Sequence, residues 1–350
     1  MNRVRFGKYL PFRVYLFGFI ATFLVAACSN RTDEAAQFFL RGNVQLQKRE
    51  YKEAIRFYTE AIDKKPDFAD AFSNRGLANF RNGQPEAALS DYNQALAIDK
   101  TFEAAYLNRA DTYLTLGNAR AALTDLQAIA STYRDSTFYQ TRLGEAYAGL
   151  NNAAQAQAAF DKALLLAPNN VEALTNRAAL AFSQKQYAAA RADLEKALTL
   201  NPDQPEALNN YGLVLAQEGQ YAKALTNIDK ALARKPGQPY YLNNKAYCLL
   251  RLNRGAEALP LLRESLRLND RNAWAHRNLG LYYLAERNAD EALTALQRAE
   301  QVDPGIDQVY AYLGRAYQLT GRRADACTAW QRGRTAGDSE AGSLYQQYCQ

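Results

Sequence analysis

The sequence predicts an all-α protein, an α-solenoid in which nine helical hairpins stack one after another. The first observation is a strict 34-residue period, in which an alanine recurs without insertion or deletion from Ala54 to Ala326. A fixed period of this length marks repeat architectures, whose neighbouring copies bury one another's apolar faces. The recurring residues are Ala54, Ala88, Ala122, Ala156, Ala190, Ala224, Ala258, Ala292 and Ala326.

The second observation is a small side chain twelve residues before each of these alanines. Two helix backbones can cross closely only where the side chains between them are small. This position therefore marks the contact between the two helices of a hairpin, and larger residues such as Tyr58 and Trp330 fill the space beside it. The small residues are Gly42, Gly76, Ala110, Gly144, Ala178, Gly212, Ala246, Gly280 and Gly314.

The third observation is a proline near the end of five hairpins, where a residue that cannot continue a helix forces the next turn. These prolines are Pro66, Pro168, Pro202, Pro236 and Pro304. Hairpin 3 departs most from the pattern, because Ile129 replaces a small residue and 131–136 replaces the proline turn. We expect a local irregularity there. Hairpins 1 to 9 begin at Ala35, Ala69, Glu103, Thr137, Val171, Pro205, Pro239, Ala273 and Asp307.

This combination of period, small residues, aromatic residues and prolines resembles the tetratricopeptide repeat (TPR) family over residues 35–340. The resemblance implies a right-handed superhelix of nine helix-turn-helix repeats with a concave and a convex face. Residues 338–350 then predict a C-terminal capping helix that closes the last apolar face. Asp338 or Ser339 would begin it, with Leu344, Tyr345 and Tyr348 turned inward.

Residues 1–27 are typical of a signal peptide. A basic start (Arg3, Arg5, Lys8 and Arg13) precedes a largely apolar stretch from Val14 to Ala27, and small residues lead into Cys28. This resembles bacterial lipoproteins, in which the cysteine is acylated and becomes the mature N-terminus. Cys28 is therefore the predicted lipidation site, with 28–34 as a short tether. The alternative is an uncleaved anchor helix, but the stretch falls short of the roughly 20 residues that span a bilayer.

The residue after the cysteine bears on localisation. Ser29 stands there rather than an aspartate, which by resemblance to Gram-negative lipoproteins favours the outer membrane. We expect an outer-membrane lipoprotein that faces the periplasm, with surface display as the other orientation.

Charge argues against a nucleic-acid partner. The whole chain has 42 basic and 36 acidic side chains, but residues 1–27 carry four of the basic ones and none of the acidic ones. The remainder has a net charge of only +2, which provides no electrostatic footprint for nucleic acid.

The cysteines suggest an oxidising compartment. Cys248 lies within a predicted helix and is interpreted as a small buried apolar residue. Cys327 and Cys349 flank the C-terminal end, where they form either a disulfide clasp or two free thiols, because a sequence does not give the Cα separation. Two cysteines and one distant histidine do not predict a metal site.

The sequence does not predict an enzyme or a cofactor. His276 occupies a position where other hairpins place an aromatic residue, so a packing role is expected. There is no Gly-rich phosphate loop, HExxH motif or nucleophile elbow. One carboxylate recurs per repeat in much of the chain, and we interpret this set as a solvated helix face: Asp91, Asp125, Asp161, Asp193 and Asp229.

Six hairpins carry an asparagine two residues before the small crossing position. Stacking would place these amides in a row, and an amide can both donate to and accept from the backbone of an extended peptide. In superhelical TPR proteins a similar row holds peptide backbones, although asparagine is also common there without a known ligand. Leu40, Arg142 and Tyr312 interrupt the row, which consists of Asn74, Asn108, Asn176, Asn210, Asn244 and Asn278.

Hairpins 7 to 9 add aromatic and arginine residues at spacings of three, four or seven along their helices, which places them on one face. Such residues dominate binding hot spots. The set is Tyr240, Tyr247, Arg251, Trp274, Arg277 and Arg315. For Tyr240 and Trp274 the alternative is packing between neighbouring hairpins, and for the arginines simple solvation.

These observations predict a lipid-anchored scaffold that binds an extended segment or tail of another envelope protein in its concave groove. The alternative is a structural subunit of an envelope assembly, which docks through its convex face or its ends. The repeats indicate the class of interaction and leave the partner open.

Overall fold

The computed structural model describes residues 32–349, whose regular secondary structure consists of twenty α-helices. It confirms the predicted all-α array of helical hairpins. The chain divides into two compact units after Leu166. In the first unit, the helices pair as successive hairpins: α1 (32–47), α2 (Tyr51–Lys64), α3 (Ala69–Arg81), α4 (Pro85–Ile98), α5 (Glu103–Thr115), α6 (Ala119–Ala128), α7 (Ala130–Tyr133), α8 (Thr137–Gly149) and α9 (Ala153–Leu166).

The second unit, from Ala167 onwards, contains five further hairpins and a final single helix. Its helices are α10 (Val171–Ser183), α11 (Tyr187–Leu200), α12 (Pro205–Gln217), α13 (Tyr221–Arg234), α14 (Pro239–Arg251), α15 (Gly255–Leu268), α16 (Ala273–Ala285), α17 (Ala289–Val302), α18 (Val309–Leu319), α19 (Arg323–Thr335) and α20 (Ser339–Cys349). None of the helices within 32–349 combines the length and the apolar character that crossing a membrane requires.

Two helix starts differ from the predicted boundaries. Helix α1 already includes residues 32–34, which the sequence assigned to the tether. Helix α18 begins at Val309, after Gln308 adopts a left-handed conformation with φ 62°. Hairpin 9 therefore starts two residues later than the period predicts.

The small residue at the crossing position allows the two helices of a hairpin to pack closely, as predicted. At Gly314 an added Cβ atom would lie 2.1 Å from Nε1 of Trp330, which is 1% exposed. The indole nitrogen also donates to the carbonyl of Ala311 at 3.1 Å. Because no side chain fits between them, glycine is required for α18 and α19 to pack at this distance.

A second repeated position, missed in the sequence, lies in the turn inside each hairpin. Nine residues at 34-residue spacing adopt positive φ there, five as Arg49, Asn151, Lys185, Asn253 and Arg287 and four as Gly83, Gly117, Gly219 and Gly321. This left-handed residue ends the first helix, and the next residue's N–H then bonds back to a carbonyl near the helix end, as in Gln84 to Asn79 at 2.9 Å.

Hairpin 3 carries the expected irregularity. Its second helix is split at Ile129 into α6 and the four-residue α7. Ile129 is 1% exposed. A branched side chain where other hairpins have a small residue thus remains in the core, and the helix breaks beside it.

Candidate functional site

The first helices of hairpins 6 to 9 contact one another in sequence, α12 with α14, α14 with α16, and α16 with α18. Each second helix also contacts the following first helix. Residues spaced three or four apart along these first helices share one side of the helix. We call this side the inner face; it carries Asn209, Asn210, Tyr240, Asn243, Asn244, Tyr247, Arg251, Trp274, Arg277, Asn278, Tyr312 and Arg315.

Five amides on this face form one continuous hydrogen-bonded series, which we call the amide chain. Asn278 Nδ2 donates to Asn243 Oδ1 at 2.8 Å, and Asn244 Nδ2 donates to Asn209 Oδ1 at 2.9 Å. Within a single helix, Asn243 Nδ2 donates to Asn244 Oδ1 at 3.2 Å, and Asn209 Nδ2 donates to Asn210 Oδ1 at 3.1 Å. The bonds all run in one direction, so each amide can polarise the next.

The amide chain corrects part of the predicted peptide-binding row. Asn278 is 1% exposed, so its prediction as a ligand-contacting residue is wrong. Its amide instead links α16 to α14. Asn244 is half-buried, and its nitrogen likewise links α14 to α12. Asn210 is half-buried at the end of the series. Sequence reasoning missed Asn209 and Asn243, although the adjacent asparagine pairs were visible.

Arg277 occupies the start of the amide chain and is 4% exposed. Its Nε and Nη2 donate to Asn278 Oδ1 at 3.1 and 2.6 Å, and its Nη1 donates to the carbonyl of Asp307 at 3.2 Å. The expectation that Arg277 is a solvated or freely accessible groove residue is wrong. Its charge is buried against neutral oxygens, an arrangement that is costly unless hydrogen bonding is good.

Aromatic rings surround this guanidinium. The carbon Cζ of Arg277 lies 4.8 Å from the centre of the Trp274 ring, 5.3 Å from Tyr247 and 5.8 Å from Tyr312. Burial is the main cause that raises the pKa of Tyr312 to about 12 and also raises that of Tyr247, so both hydroxyls stay neutral near pH 7. The rings therefore stabilise the cation through their π faces.

Arg251 and two aromatic residues form the accessible part of the face. Arg251 is exposed, and its Cζ lies 5.3 Å from the Tyr221 ring. Tyr240 is 50% exposed and Trp274 is 41% exposed. The alternative that these two merely pack between hairpins therefore does not hold, although Tyr240 Oη accepts a hydrogen bond from Asn269 at 3.3 Å.

Arg315 forms an ion pair within the protein. Its guanidinium pairs with Glu340 of α20. The other Glu340 oxygen accepts from Gln308 Nε2 at 3.1 Å, and Gln308 Oε1 accepts from the Tyr312 hydroxyl at 2.9 Å. This ion pair places α20 at the edge of the inner face, a contact that sequence reasoning did not predict.

The predicted asparagine row outside hairpins 6 to 9 makes other hydrogen bonds. Asn74 Nδ2 donates to Asn43 Oδ1 at 2.8 Å, and Asn108 is half-buried, as is Asn176 in the second unit. Arg142, which interrupts the predicted row, pairs with Asp111 at 2.7 Å and with Glu145 at 2.9 Å.

The recurrent carboxylates are not all solvated, and the interpretation as a solvated helix face is wrong for two of them. Asp91 is 4% exposed and Asp125 is 3% exposed. Arg75 binds Asp91 through Nη2 at 2.7 Å, and Arg109 binds Asp125 through Nη2 at 2.7 Å. Each pair joins the two helices of one hairpin, sixteen residues apart in sequence.

The remaining predicted sites are the cysteines and His276. Cys28 and residues 1–31 lie outside the described residues. A disulfide joins Cys327 and Cys349 with a Cα separation of 5.7 Å. Cys248 is a buried free thiol, and its burial raises its pKa to about 12.

His276 is half-buried, with Nε2 2.9 Å from the carbonyl of Asp270. Among residues 32–349, no three His, Cys, Asp or Glu side chains converge on a metal position.

Comparisons with known proteins agree with this architecture. A family model described as "Tetratricopeptide repeat" matches residues 39–101, 141–205, 180–239 and 211–275, and a second model of the same description matches 308–332. No curated protein matches the chain.

Two solved structures are similar in fold. One is the crystal structure of the APC/C hetero-tetramer Cut9–Hcn1, with a TM-score of 0.65 and 15% identity over 90% of this chain and 76% of that chain. The other is the human IFIT1 dimer with m7Gppp-AAAA, with a TM-score of 0.55 and 21% identity over 75% of this chain and 67% of that chain. At these identities the similarity shows the fold alone.

Proteins of this repeat class are generally non-catalytic scaffolds that bind other proteins. The matched residues make up more than half of the sequence, and the hairpins they cover are those seen in the structure. The chain belongs to the tetratricopeptide repeat family.

Proposed function

We propose that this protein is a lipid-anchored scaffold of the bacterial cell envelope, which binds an extended, acidic segment of a partner protein on the inner face of α14, α16 and α18. The observation that carries the proposal is the guanidinium of Arg277, buried among aromatic rings and bonded only to neutral oxygens among its hydrogen bonds in residues 32–349. Its positive charge is not neutralised by any of these bonds.

The residues around Arg277 suit a bound chain. Trp274 and Tyr240 expose large aromatic surfaces, which bury area on binding with little loss of side-chain entropy. Arg251, exposed beside Tyr221, can form forked hydrogen bonds to a carboxylate. An acidic segment would thus meet an accessible arginine and a second positive charge just below the surface.

The amide chain supplies the backbone partner for such a segment. Each amide nitrogen has two N–H donors; that of Asn244 uses one of them within the amide chain, whereas Asn210 takes part there only through its oxygen. Asn210 and Asn244 are half-buried, so their remaining donors lie near the surface. They can donate hydrogen bonds to peptide carbonyls whatever the peptide sequence. Arg251 and the aromatic residues provide the preference for acidic segments.

The anchor and the location rest on the sequence. The basic start, apolar stretch and Cys28 support acylation at the outer membrane, and periplasmic partners with flexible tails are the expected ligands. A lipid anchor would hold the scaffold beside other envelope proteins.

The binding proposal can be tested with two pools of fluorescent, unstructured peptides, one rich in glutamate and one in which glutamine replaces each glutamate. Anisotropy should show tighter binding of the glutamate pool. Arg251→Ala should weaken that binding by about 10- to 100-fold, because a charge-assisted hydrogen bond is worth ~1.5–3 kcal/mol. The matched control is Arg263→Ala, which removes an exposed arginine from the second helix α15.

Equal binding of both pools, or an equal loss in both variants, would contradict the acidic-segment proposal. To find the partner, a photo-activatable residue can be placed at Tyr240 in membranes, with the same residue at the exposed Lys230 on α13 as the control. Cross-linked partners specific to position 240 support the inner face. Partners found equally from position 230 would favour the assembly alternative.

A further inference from the structure

Helix α20 is held at both of its ends. At its start, Asp338 Oδ1 accepts from the N–H groups of Glu340 and Ala341 at 2.9 and 3.1 Å. At its end, the Cys327–Cys349 disulfide ties it to α19. Between these points, Ala341 is the residue of α20 that is buried. Leu344 and Tyr345 add partly buried contacts with the cluster around Trp330, so a small packed face and the two end attachments together hold the helix.

Reduction of the disulfide requires a thiolate to reach one of its two sulfur atoms. Cys327 and Cys349 are both half-buried, in contrast to Cys248, which is 0% exposed. Tyr348, next to Cys349, is 37% exposed although its ring lies 5.6 Å from that of Trp330. The predicted inward turn of Tyr348 is therefore only partial. Its carbonyl accepts a hydrogen bond from Arg323 at 2.9 Å.

The other end of α20 reaches the inner face. Glu340 pairs with Arg315 and also accepts from Gln308, which in turn holds the hydroxyl of Tyr312. The Tyr312 ring lies 5.8 Å from Arg277. Glu340 therefore occupies an arginine that an acidic ligand would otherwise contact, and it brings a negative charge to the same edge.

We propose that the Cys327–Cys349 disulfide is a redox-controlled clasp that keeps Glu340 on Arg315, and that its reduction releases α20 and opens this end of the inner face to acidic ligands. The ligand part of this inference rests on the proposed function, whereas the release of α20 does not.

The chemistry requires a dithiol reductant of the thioredoxin type. One of its thiolates attacks a sulfur of the disulfide, which breaks the Cys327–Cys349 bond and forms a mixed disulfide. The second thiol then displaces the protein sulfur. Two electrons pass to the protein, which gains two protons as Cys327 and Cys349 thiols, and the reductant becomes a disulfide.

The chain has two tryptophans, so replacing Trp274 leaves Trp330 as the single reporter of the release of α20. Trp330 lies beneath Tyr348 and is 1% exposed, whereas Trp274 lies on the inner face. In Trp274→Phe the remaining Trp330 fluorescence should become several-fold more accessible to acrylamide after treatment with a dithiol. Cys327→Ser with Cys349→Ser should show high accessibility without reductant, and Cys248→Ser should respond as its parent does.

The second arm uses the wild-type protein and the glutamate peptide pool. Reduction should tighten binding by about 2- to 5-fold, the effect of releasing a partly exposed ion pair. Glu340→Gln should tighten it to the same extent with the disulfide intact and with no change in Trp330 quenching. Matched glutamine peptides should be unaffected by either change.

The outcomes separate the two ideas. Unchanged Trp330 quenching on reduction, with both thiols shown free by mass spectrometry, would overturn the clasp whatever the ligand. Increased quenching with no change in the affinity for glutamate peptides would overturn the coupling to the inner face. If quenching increases but no peptide binds, the proposed function is contradicted and the release of α20 is supported.

Discussion

The guanidinium of Arg277 donates two hydrogen bonds to a single amide oxygen of its sequence neighbour, Asn278. An amide therefore stands where a carboxylate would normally meet an arginine fork. The Nδ2 atom of Asn278 in turn donates to Oδ1 of Asn243 in the preceding hairpin at 2.8 Å. The candidate binding surface and the packing of the repeats thus share the same side chains.

Asn243 links the two halves of the amide chain, so Asn243→Ala should be destabilising. The residue is 3% exposed, and its loss leaves the nitrogen of Asn278 and the oxygen of Asn244 without these partners. An unsatisfied buried polar group costs ~1–3 kcal/mol. Urea unfolding followed by circular dichroism would measure the difference.

The control for this substitution is Asn227→Ala on α13. Asn227 donates to the carbonyl of Lys223 in a solvent-exposed contact, so its loss should change stability by only about 0.5 kcal/mol. Equal effects in the two variants would mean that the amide chain adds nothing to the packing of the hairpins.

The buried pair of Arg75 and Asp91 predicts a larger effect. The Asp91 side chain is 6% exposed, and removing it in Asp91→Ala leaves the Arg75 cation without its carboxylate. Breaking a buried pair in this way costs ~3–5 kcal/mol. We expect a clear fall in the urea midpoint.

An exposed pair in the same unit provides the comparison. Glu53 and Arg56 lie 2.9 Å apart with side chains 53% and 55% exposed. Glu53→Ala should cost at most ~0.5 kcal/mol, because water screens such pairs. If Asp91→Ala were as mild as Glu53→Ala, the buried contact would not be structural.

His276 predicts a dependence of stability on acid pH. Burial is the main cause that lowers its pKa below the ordinary value of 6.5, and Arg298 adds to this effect. The unfolded state then binds a proton more readily than the folded state, so the contribution is intact above pH 6.5 and is lost as the pH falls through the lowered pKa.

This effect can be isolated because His276 is the single histidine of the chain. His276→Gln should show a smaller loss of thermal stability between about pH 7.5 and about pH 5 than the wild type does. Identical pH profiles for the two proteins would contradict the assignment. Asp270, which opposes the shift, remains in both.

Lipidation predicts that Cys28→Ser abolishes incorporation of radiolabelled palmitate and leaves the precursor unprocessed, since acylation needs the thiol. Residue 32 already lies in α1, so at most three residues separate Cys28 from this helix, which at ~3.5 Å each keeps the first hairpin close to the membrane. Cys248→Ser is the control and should label normally. A wild-type protein that takes up no palmitate would remove the basis for the envelope assignment.

The repeat period was sufficient to predict the architecture. Alanine at 34-residue spacing and the small residues twelve positions earlier identify the helix contacts, because close packing tolerates little variation in volume. The same pattern located the irregularity at Ile129. These features depend on local rules that repeat along the chain.

The left-handed residue in the turn of each hairpin was not predicted from the sequence. At this position glycine alternates with Arg49, Asn151 or Lys185, so no single residue type marked it in the sequence. The 34-residue spacing would have found it, because the backbone geometry repeats even where the side chain changes.

The sequence by itself determined that Tyr247, Arg251 and Trp274 share the inner face, because helical periodicity and the repeat phase place them together. Only the tertiary structure decided how deeply each one is buried. Arg277 and Asn278 are enclosed by rings and amides from neighbouring hairpins, and Glu340 reaches Arg315 from α20, which follows the nine hairpins. Burial and partner choice depend on side chains brought together from distant parts of the chain, which periodicity cannot specify.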